Sequence, residues 1–395
     1  MNSIITRASC ANNIDDLVSE LTDQLPEQPS LAIQFFNTDI DADKLHSAFT
    51  KEINCPILSA SSCMGAMIQK KSGLPAKVSA GTFYIYDSIG DYGVGSAQIL
   101  DSPESAAQQA LTQALQQSGR EYESPDVIWL SAPPGQEEII IKGLSSIVGS
   151  NVPIMGGSCA DNDISGHWKQ FDQNGVYQNA IIVSVLFTSF DIGYSFSSGY
   201  SPSRHSAIVT RAEGRTIYEL DNEPAAEVYN RWCNQGIQEF MNGGNILGES
   251  TLKPLGRIIS HVNIDQYLLS HPESVTTDSG LTLFSEIMEG DTVVLMEGNI
   301  ESLIHRASEV YTTAVKLLPE DSKPCGFLMV YCAGCMITVG DRIAEVRNSV
   351  TRASSGIPSL ATFTFGEQGC FLDGDVRHGN LMISSLVFGN RNGHD

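Results

Sequence analysis

The sequence predicts a mixed α/β fold, sheets with helices packed on them, built from an internally duplicated unit that gives two related domains plus a central connecting segment. Three observations carry this prediction. Short apolar runs alternate with stretches of helical composition, the same order of elements returns roughly 200 residues later, and a segment of different character lies between the two copies. With 395 residues and 42% hydrophobic content, the chain is long enough for two or three domains with cores of their own.

Strands are predicted at 31–37 (LAIQFFN), 55–60 (CPILSA), 78–86 (VSAGTFYIY), 93–100 (GVGSAQIL) and 127–130 (VIWL). A helix over 103–117 follows from Ser102 as N-cap, Pro103 at the first position, an alanine-rich interior and Gly119 just past the end. Another over 136–148 begins acidic after Pro133-Pro134-Gly135, the sign that a helix dipole favours, and leads into a strand at 153–158. A hairpin then ends in 181–187 (IIVSVLF).

In the second copy the strand 291–297 (DTVVLME) is set against 93–100. It is followed by a helix over 301–318, a strand at 326–331, a helix over 341–353, a strand at 358–365 and 382–388 (MISSLVF). The endings PIMGGSCAD with IIVSVLF, and PSLATFTFGE with MISSLVF, mark the two as copies, and the seam between related domains is where a ligand is expected. Between them, 206–224 alternates as a hairpin around Glu213-Gly214, a helix is predicted over 224–240, and the loop Asn242-Gly243-Gly244-Asn245 ends the segment.

Composition narrows the function. With 46 acidic against 23 basic residues the net charge is −23, which repels phosphate backbones and anionic headgroups, so neither nucleic acid nor a membrane surface is an expected partner. The N-terminal residues lack a signal-peptide pattern and no run approaches the ~18 apolar residues of a membrane span, so the expected compartment is the cytoplasm. There the nine cysteines, an odd number, read as thiols or ligands. With no GxSxG elbow, Walker loop or HExxH motif, an enzyme is not expected.

The phrase VTRAEGRTIYELDNEPAAEVY (209–229) resembles the join of the N- and C-terminal modules of the FIST family. PIMGGSCAD (153–161), KPLGRI (253–258), EGDTVVLM (289–296) and TFGEQG (364–369) are similar to further islands of that family. The sequence departs from it at Asn222, where Gly is usual, and at Ser61-Ser62-Cys63, where a GCST-like string is common. The resemblance implies a lead-in over 1–27, a FIST N-type domain over 28–223, a FIST C-type domain over 224–388 and a tail over 389–395. It also implies a sensor, since stand-alone bacterial members include haem proteins that sense nitric oxide and modulate a histidine kinase. Amino-acid-like ligands are the family's alternative to haem. Output would pass to a separate partner, a sensor histidine kinase or a diguanylate cyclase or phosphodiesterase, and a homodimer is a further expectation.

Haem b would be held noncovalently, because no CxxCH motif is present, and needs a neutral axial histidine with an open opposite face. His271 is the first candidate. It precedes Pro272, which holds its backbone extended where the second copy begins, and Tyr267, Leu268 and Leu269 are at hand to cover a porphyrin. His261 and His205 are the alternatives. A zinc or iron thiolate site, or a redox switch, is the other inorganic reading: Cys332 and Cys335 have CxxC spacing after one strand, Cys370 follows the next, and His378, Cys63 or Cys159 would be a fourth ligand. Arg204, Arg211 and Arg215 are candidate clamps for a carboxylate ligand.

Overall fold

A computed structural model describes residues 2–71, 73–260, 266–371 and 373–391. Its core is one α/β unit used three times. The first contains β1 (Ser3–Ser9), α1 (Ile14–Thr22), β2 (Leu31–Phe36), α2 (Ala42–Glu52), β3 (Ile57–Ser61), β4 (Ala66–Ile68) and β5 (Ala80–Tyr86), with sheet order β1-β5-β2-β3 and β2 parallel to β3. The second repeats this with β6 (Asp91–Gln98), α3 (Pro103–Ser118), β7 (Val127–Ala132), α4 (Glu137–Val148), β8 (Ile154–Ser158), the short β9 (Gln170–Phe171) and β10 (Val176–Tyr177), and β11 (Ala180–Phe187). Its sheet order is β6-β11-β7-β8, with β7 parallel to β8.

The third unit opens with β12 (Asp191–Ser198) and is then interrupted by an inserted module. The module holds β13 (Ser201–Glu213), β14 (Thr216–Leu220), β15 (Glu223–Pro224), α5 (Ala225–Trp232), β16 (Gly244–Asn245), α6 (Leu247–Ser250), β17 (Leu255–Ser260), β18 (Gln266–Ser270), β19 (Pro272–Val275), β20 (Leu281–Leu283) and β21 (Thr292–Glu297). They form one sheet in the order β16-β19-β20-β14-β13-β21-β17-β18, with β15 beside β14. The unit resumes with α7 (Ile300–Val315), β22 (Ser322–Cys332), α8 (Ala333–Val339), α9 (Ile343–Ala353), β23 (Ser359–Thr364), β24 (Glu367–Cys370), β25 (Val376–Gly379) and β26 (Met382–Arg391). Its order, β12-β26-β22-β23 with β22 parallel to β23, is that of the first two.

The units are laced together. Each lends a short strand to the outer side of another unit's third strand: β9 pairs with β3, β24 with β8, and β4 with β23. The inner faces of all three sheets meet in a shared core that includes Ile33 and Phe83, Trp129 and Met155, and Val330 and Phe388. Helices of each unit cover the outer faces over separate apolar clusters, and the inserted module has a core of its own. Among the described residues no helix is long and apolar enough to cross a membrane.

The mixed α/β class and the repeat are as the sequence predicts, and a third copy precedes the two that were legible. Residues set apart as a lead-in carry β1 and α1, an edge strand and a helix of that first unit, and the start of the expected tail continues β26 to Arg391. The counterpart of β6 is β12, not the strand at 291–297, which pairs inside the inserted sheet. Asp91-Tyr92-Gly93 and Asp191-Ile192-Gly193 show the correspondence. The endings also shift. Leu186 pairs opposite Tyr92 and Phe388 opposite Ile192, and both face the shared core, so Leu186 matches Phe388, and aligning Phe187 with Phe388 would turn every side chain to the wrong face. The helix predicted over 224–240 stops at Trp232, because the Asn230 amide donates to Gln235 and Gln238 and its carbonyl oxygen accepts from the Ile237 N–H, folding the chain back.

Two local features set how the covering helices sit on their sheets. Gly93 and Gly95 let α3 lie directly on β6, since a Cβ there would stand 2.0 Å from the Ala114 oxygen and 2.1 Å from the Ala110 oxygen. The side-chain oxygens of Gln117 and Gln113 then accept the outward N–H groups of Val94 and Ser96 at 2.6 and 3.3 Å, closing the edge of that sheet. In the third unit α7 starts from a capping box in which Asn299 accepts from the Ser302 N–H and Ser302 accepts from the Asn299 N–H. Asn299→Ala is expected to cost about 1 kcal/mol in urea denaturation, and a change under a few tenths would show that packing alone sets this helix start.

Candidate functional site

A cavity of about 370 Å³ lies where the third unit meets the inserted module. The repeat explains why it is there. On β12, Gly193 keeps the close approach, with a Cβ at 2.2 Å from the Ala314 oxygen, but Ser195 stands where the second unit has Gly95, and Val310 and Thr313 stand where α3 has Ala110 and Gln113. Ser195 and Val310, bulkier than Gly95 and Ala110, hold α7 off the strand, and the shorter Thr313 leaves space beside it. Ser195, Phe196, Ser197 and Ser198 line it, with Tyr200, Met296, Val310 and Phe371 as apolar walls and Gln266 and Tyr267 of β18 across from them. Phe196 packs edge-on against Phe371, ring centroids 5.1 Å apart, and Gly369 is glycine because a Cβ there would stand 2.4 Å from the Phe196 ring.

Charge enters this cavity through Arg306 of α7. One guanidinium nitrogen donates to Glu309 at 2.9 Å and another to Ser197, while the buried Nε finds no partner among the described residues, and the same is true of the buried Gln266 Oε1. A partly apolar space with one cation and an unspent donor and acceptor suits a small ligand that carries an acidic group on an apolar body.

A second polar cluster fastens the module to the core. Glu137, 2% exposed at the start of α4, accepts from Ser158 Oγ at 2.7 Å, from the Gly135 N–H at 3.0 Å and from Arg215 at 2.7 Å. Arg215 follows the β13–β14 turn and also donates to Glu138 at 2.6 Å, which in turn accepts from the Glu286 N–H at 2.9 Å. His378 stands 3.9 Å from Glu137 with Nε2 3.3 Å from the Phe284 carbonyl oxygen. Burial alone would raise the Glu137 carboxyl, but the charges of His378 and Arg215 and the bonds from Arg215 and Ser158 outweigh it and hold the group down at about 2. Of the three arginines proposed as ligand clamps, Arg215 therefore clamps the protein's own carboxylates, and Arg211 pairs with Glu219 and lies over the Tyr218 ring.

The predicted haem ligands do not gather at the cavity. His271 is buried behind it: Nε2 lies 3.3 Å from Thr251 Oγ1, and the Thr251 carbonyl oxygen accepts the Tyr200 hydroxyl at 2.8 Å. Burial pushes its imidazole down to about 4, partly opposed by a bond to the Leu247 backbone, so the ring is neutral but turned into protein. His205 stacks on Trp232 at the surface, 5.9 Å between centroids, and His261 lies outside the described residues. Neither His271 nor His205 lines the cavity. Because the unfolded chain takes up a proton on His271 near its ordinary 6.5 and the folded one only near 4, stability should fall as pH drops through that window, by about 3 kcal/mol in all. His271→Phe is expected to flatten this slope in denaturation from pH 7 to 4, and an unchanged slope would assign it elsewhere.

The cysteines of the expected thiolate site are not all brought together either. Cys332 and Cys335 lie together in the third unit's own core, whereas Cys370 packs with the shared core, beside Tyr194, at the far end of β24. Burial holds the Cys332 and Cys370 thiols above their ordinary range, and among the described residues no group of three His, Cys, Asp or Glu stands ready to hold a metal ion. Arg306 was missed because an arginine inside an amphipathic helix has no local signal. Its meaning comes from the repeat, once β12 is placed against β6.

Residues 30–223 match the FIST N domain and residues 225–370 the FIST C domain, and the chain belongs to the FIST family, whose domains sense small ligands. The boundary between the two matches falls inside the inserted module, between β15 and α5. An uncharacterized protein of Methanocaldococcus jannaschii, MJ1623, is 28% identical over 161 residues, which are 39% of this chain. The match spans 31% of that protein's length. Among solved structures, a cyanuric acid hydrolase from A. caulinodans aligns over 98% of both chains at 8% identity with a TM-score of 0.39, a likeness that assigns neither fold nor activity.

Proposed function

We propose that this FIST protein is a sensor input that takes an acidic small molecule with an apolar body, amino-acid-like in size, into the cavity between β12, α7 and the inserted module. The role is binding rather than turnover. Output passes by contact to a separate signalling enzyme, a sensor histidine kinase or a diguanylate cyclase or phosphodiesterase. The observation that carries the reading is Arg306, a cation with a buried unspent nitrogen on the wall of a partly apolar cavity.

N-acetylphenylalanine, one carboxylate on one aromatic body, is the probe. Calorimetry is expected to show saturable binding that weakens about 10- to 100-fold in Arg306→Gln, the range for losing a charge-assisted hydrogen bond. Equal binding by the variant would remove Arg306 from the site. In a parallel haem titration, a ligated Soret band that vanishes in His261→Ala would replace this reading with haem-based nitric oxide sensing.

A further inference from the structure

Four consecutive residues of β12 line the cavity. Successive side chains of a strand point to opposite faces, so a space bordered by 195, 196, 197 and 198 alike lies against the strand's edge, where main-chain groups point. This edge is a sheet terminus: β12 pairs with β26 on one side only, and β18 across the cavity is likewise the last strand of its sheet.

The second unit shows which groups face outward. On β6 the N–H groups of Val94 and Ser96 turn away from β11. In both strands odd-numbered residues face the covering helix, as Gly93 and Gly193 do against Ala114 and Ala314, and the neighbour order is the same. The outward N–H and C=O groups of β12 at the cavity are therefore those of Phe196 and Ser198. Where Gln113 accepts the Ser96 N–H in the second unit, the third has Thr313, too short to reach across.

We infer that the ligand of this cavity is a short peptide with a free C-terminus, which adds as a strand to the edge of β12 through Phe196 and Ser198 and sets its terminal carboxylate against Arg306. The inference rests on the cavity being the ligand site. Ser195 to Ser198 span about 10 Å, room for about three extended residues. Main-chain pairing with an edge strand supplies affinity that tolerates many side chains, while the carboxylate fixes register. A sensor of this kind responds to peptides as a class rather than to one amino acid.

Acetyl-Val-Ala-Phe and N-acetylphenylalanine share the terminal group and differ in main chain. In calorimetry on the full chain, the tripeptide is expected to bind at least tenfold tighter, to lose that gain on methylation of whichever one of the Ala and Phe nitrogens faces β12, and to lose at least tenfold as its C-terminal amide. Thr313→Gln, which restores the glutamine of the second unit, is expected to weaken the tripeptide at least tenfold and leave N-acetylphenylalanine within threefold. Equal affinities for tripeptide, both methylated forms and N-acetylphenylalanine would overturn strand addition while leaving the cavity as a carboxylate site. If neither acid binds saturably, both readings fall together.

Discussion

Arg215→Ala is expected to destabilise the protein by about 3–5 kcal/mol in chemical denaturation, the range for removing one partner of a buried pair. The arginine is the compensating charge for a carboxylate that is 2% exposed, and without it Glu137 keeps Ser158, the Gly135 N–H and a histidine but no permanent cation. Coupling should show in the double variant: Arg215→Met with Glu137→Gln removes both charges and is expected to recover at least half of the loss. The acid limb tests the same group. Folded Glu137 releases its proton down to about 2 against an ordinary 4.5, so its contribution, about 3 kcal/mol, is present above pH 4.5 and is lost as pH falls from there toward 2. A loss below 1 kcal/mol in Arg215→Ala, or an acid limb unchanged in Glu137→Gln, would mean that solvent rather than Arg215 compensates this charge.

Gly95→Val should cost about 3 kcal/mol, the upper end of overpacking. The added Cβ would stand 2.1 Å from the Ala110 oxygen and 2.5 Å from the Ala114 nitrogen, both backbone atoms of a helix held by its own hydrogen bonds, so α3 must lift and Gln113 must release the Ser96 N–H. Ser195→Ala, at the corresponding place in the third unit where α7 already stands off, is expected within 0.5 kcal/mol of the parent, the ordinary range away from packed features. A Gly95→Val protein within 1 kcal/mol of wild type would mean that side-chain bulk at this position does not set how closely the helix approaches its strand, and so does not open the cavity in the third unit.

What the sequence revealed depended on the range of the interaction. Helix α3 was legible because Ser102, Pro103 and Gly119 are local punctuation, and the hairpin at Gly214 because its turn is written in adjacent residues. The first unit was hidden because its β1 runs SIITRAS, with no Asp-x-Gly to match β6 and β12, and the third was obscured because the residues between Ser198 and Ile300 separate its first strand from its first helix. Helix α8 was unreadable as well: Ala333-Gly334-Cys335 follows an apolar strand with no capping side chain, so nothing local marks the change of period. Site chemistry was the least legible. Arg215 was marked as a clamp for a ligand carboxylate, but it holds the protein's own Glu137 and Glu138, and only three-dimensional proximity could reveal that.

The lending of strands between units sets an order on biosynthesis. The segment at β4 is made early, yet its partner β23 is made late: Gln69, just past β4, accepts from the Ser359 N–H, a bond that spans 290 residues. At ribosomal rates of about 5–20 residues per second, that gap lasts on the order of 15–60 s. During it the N-terminal unit carries a strand without a sheet to join, and the shared core lacks its third wall. Nascent chains cut anywhere before β23 should therefore present apolar surface to chaperones, and neither family domain is expected to persist as an independent folded fragment.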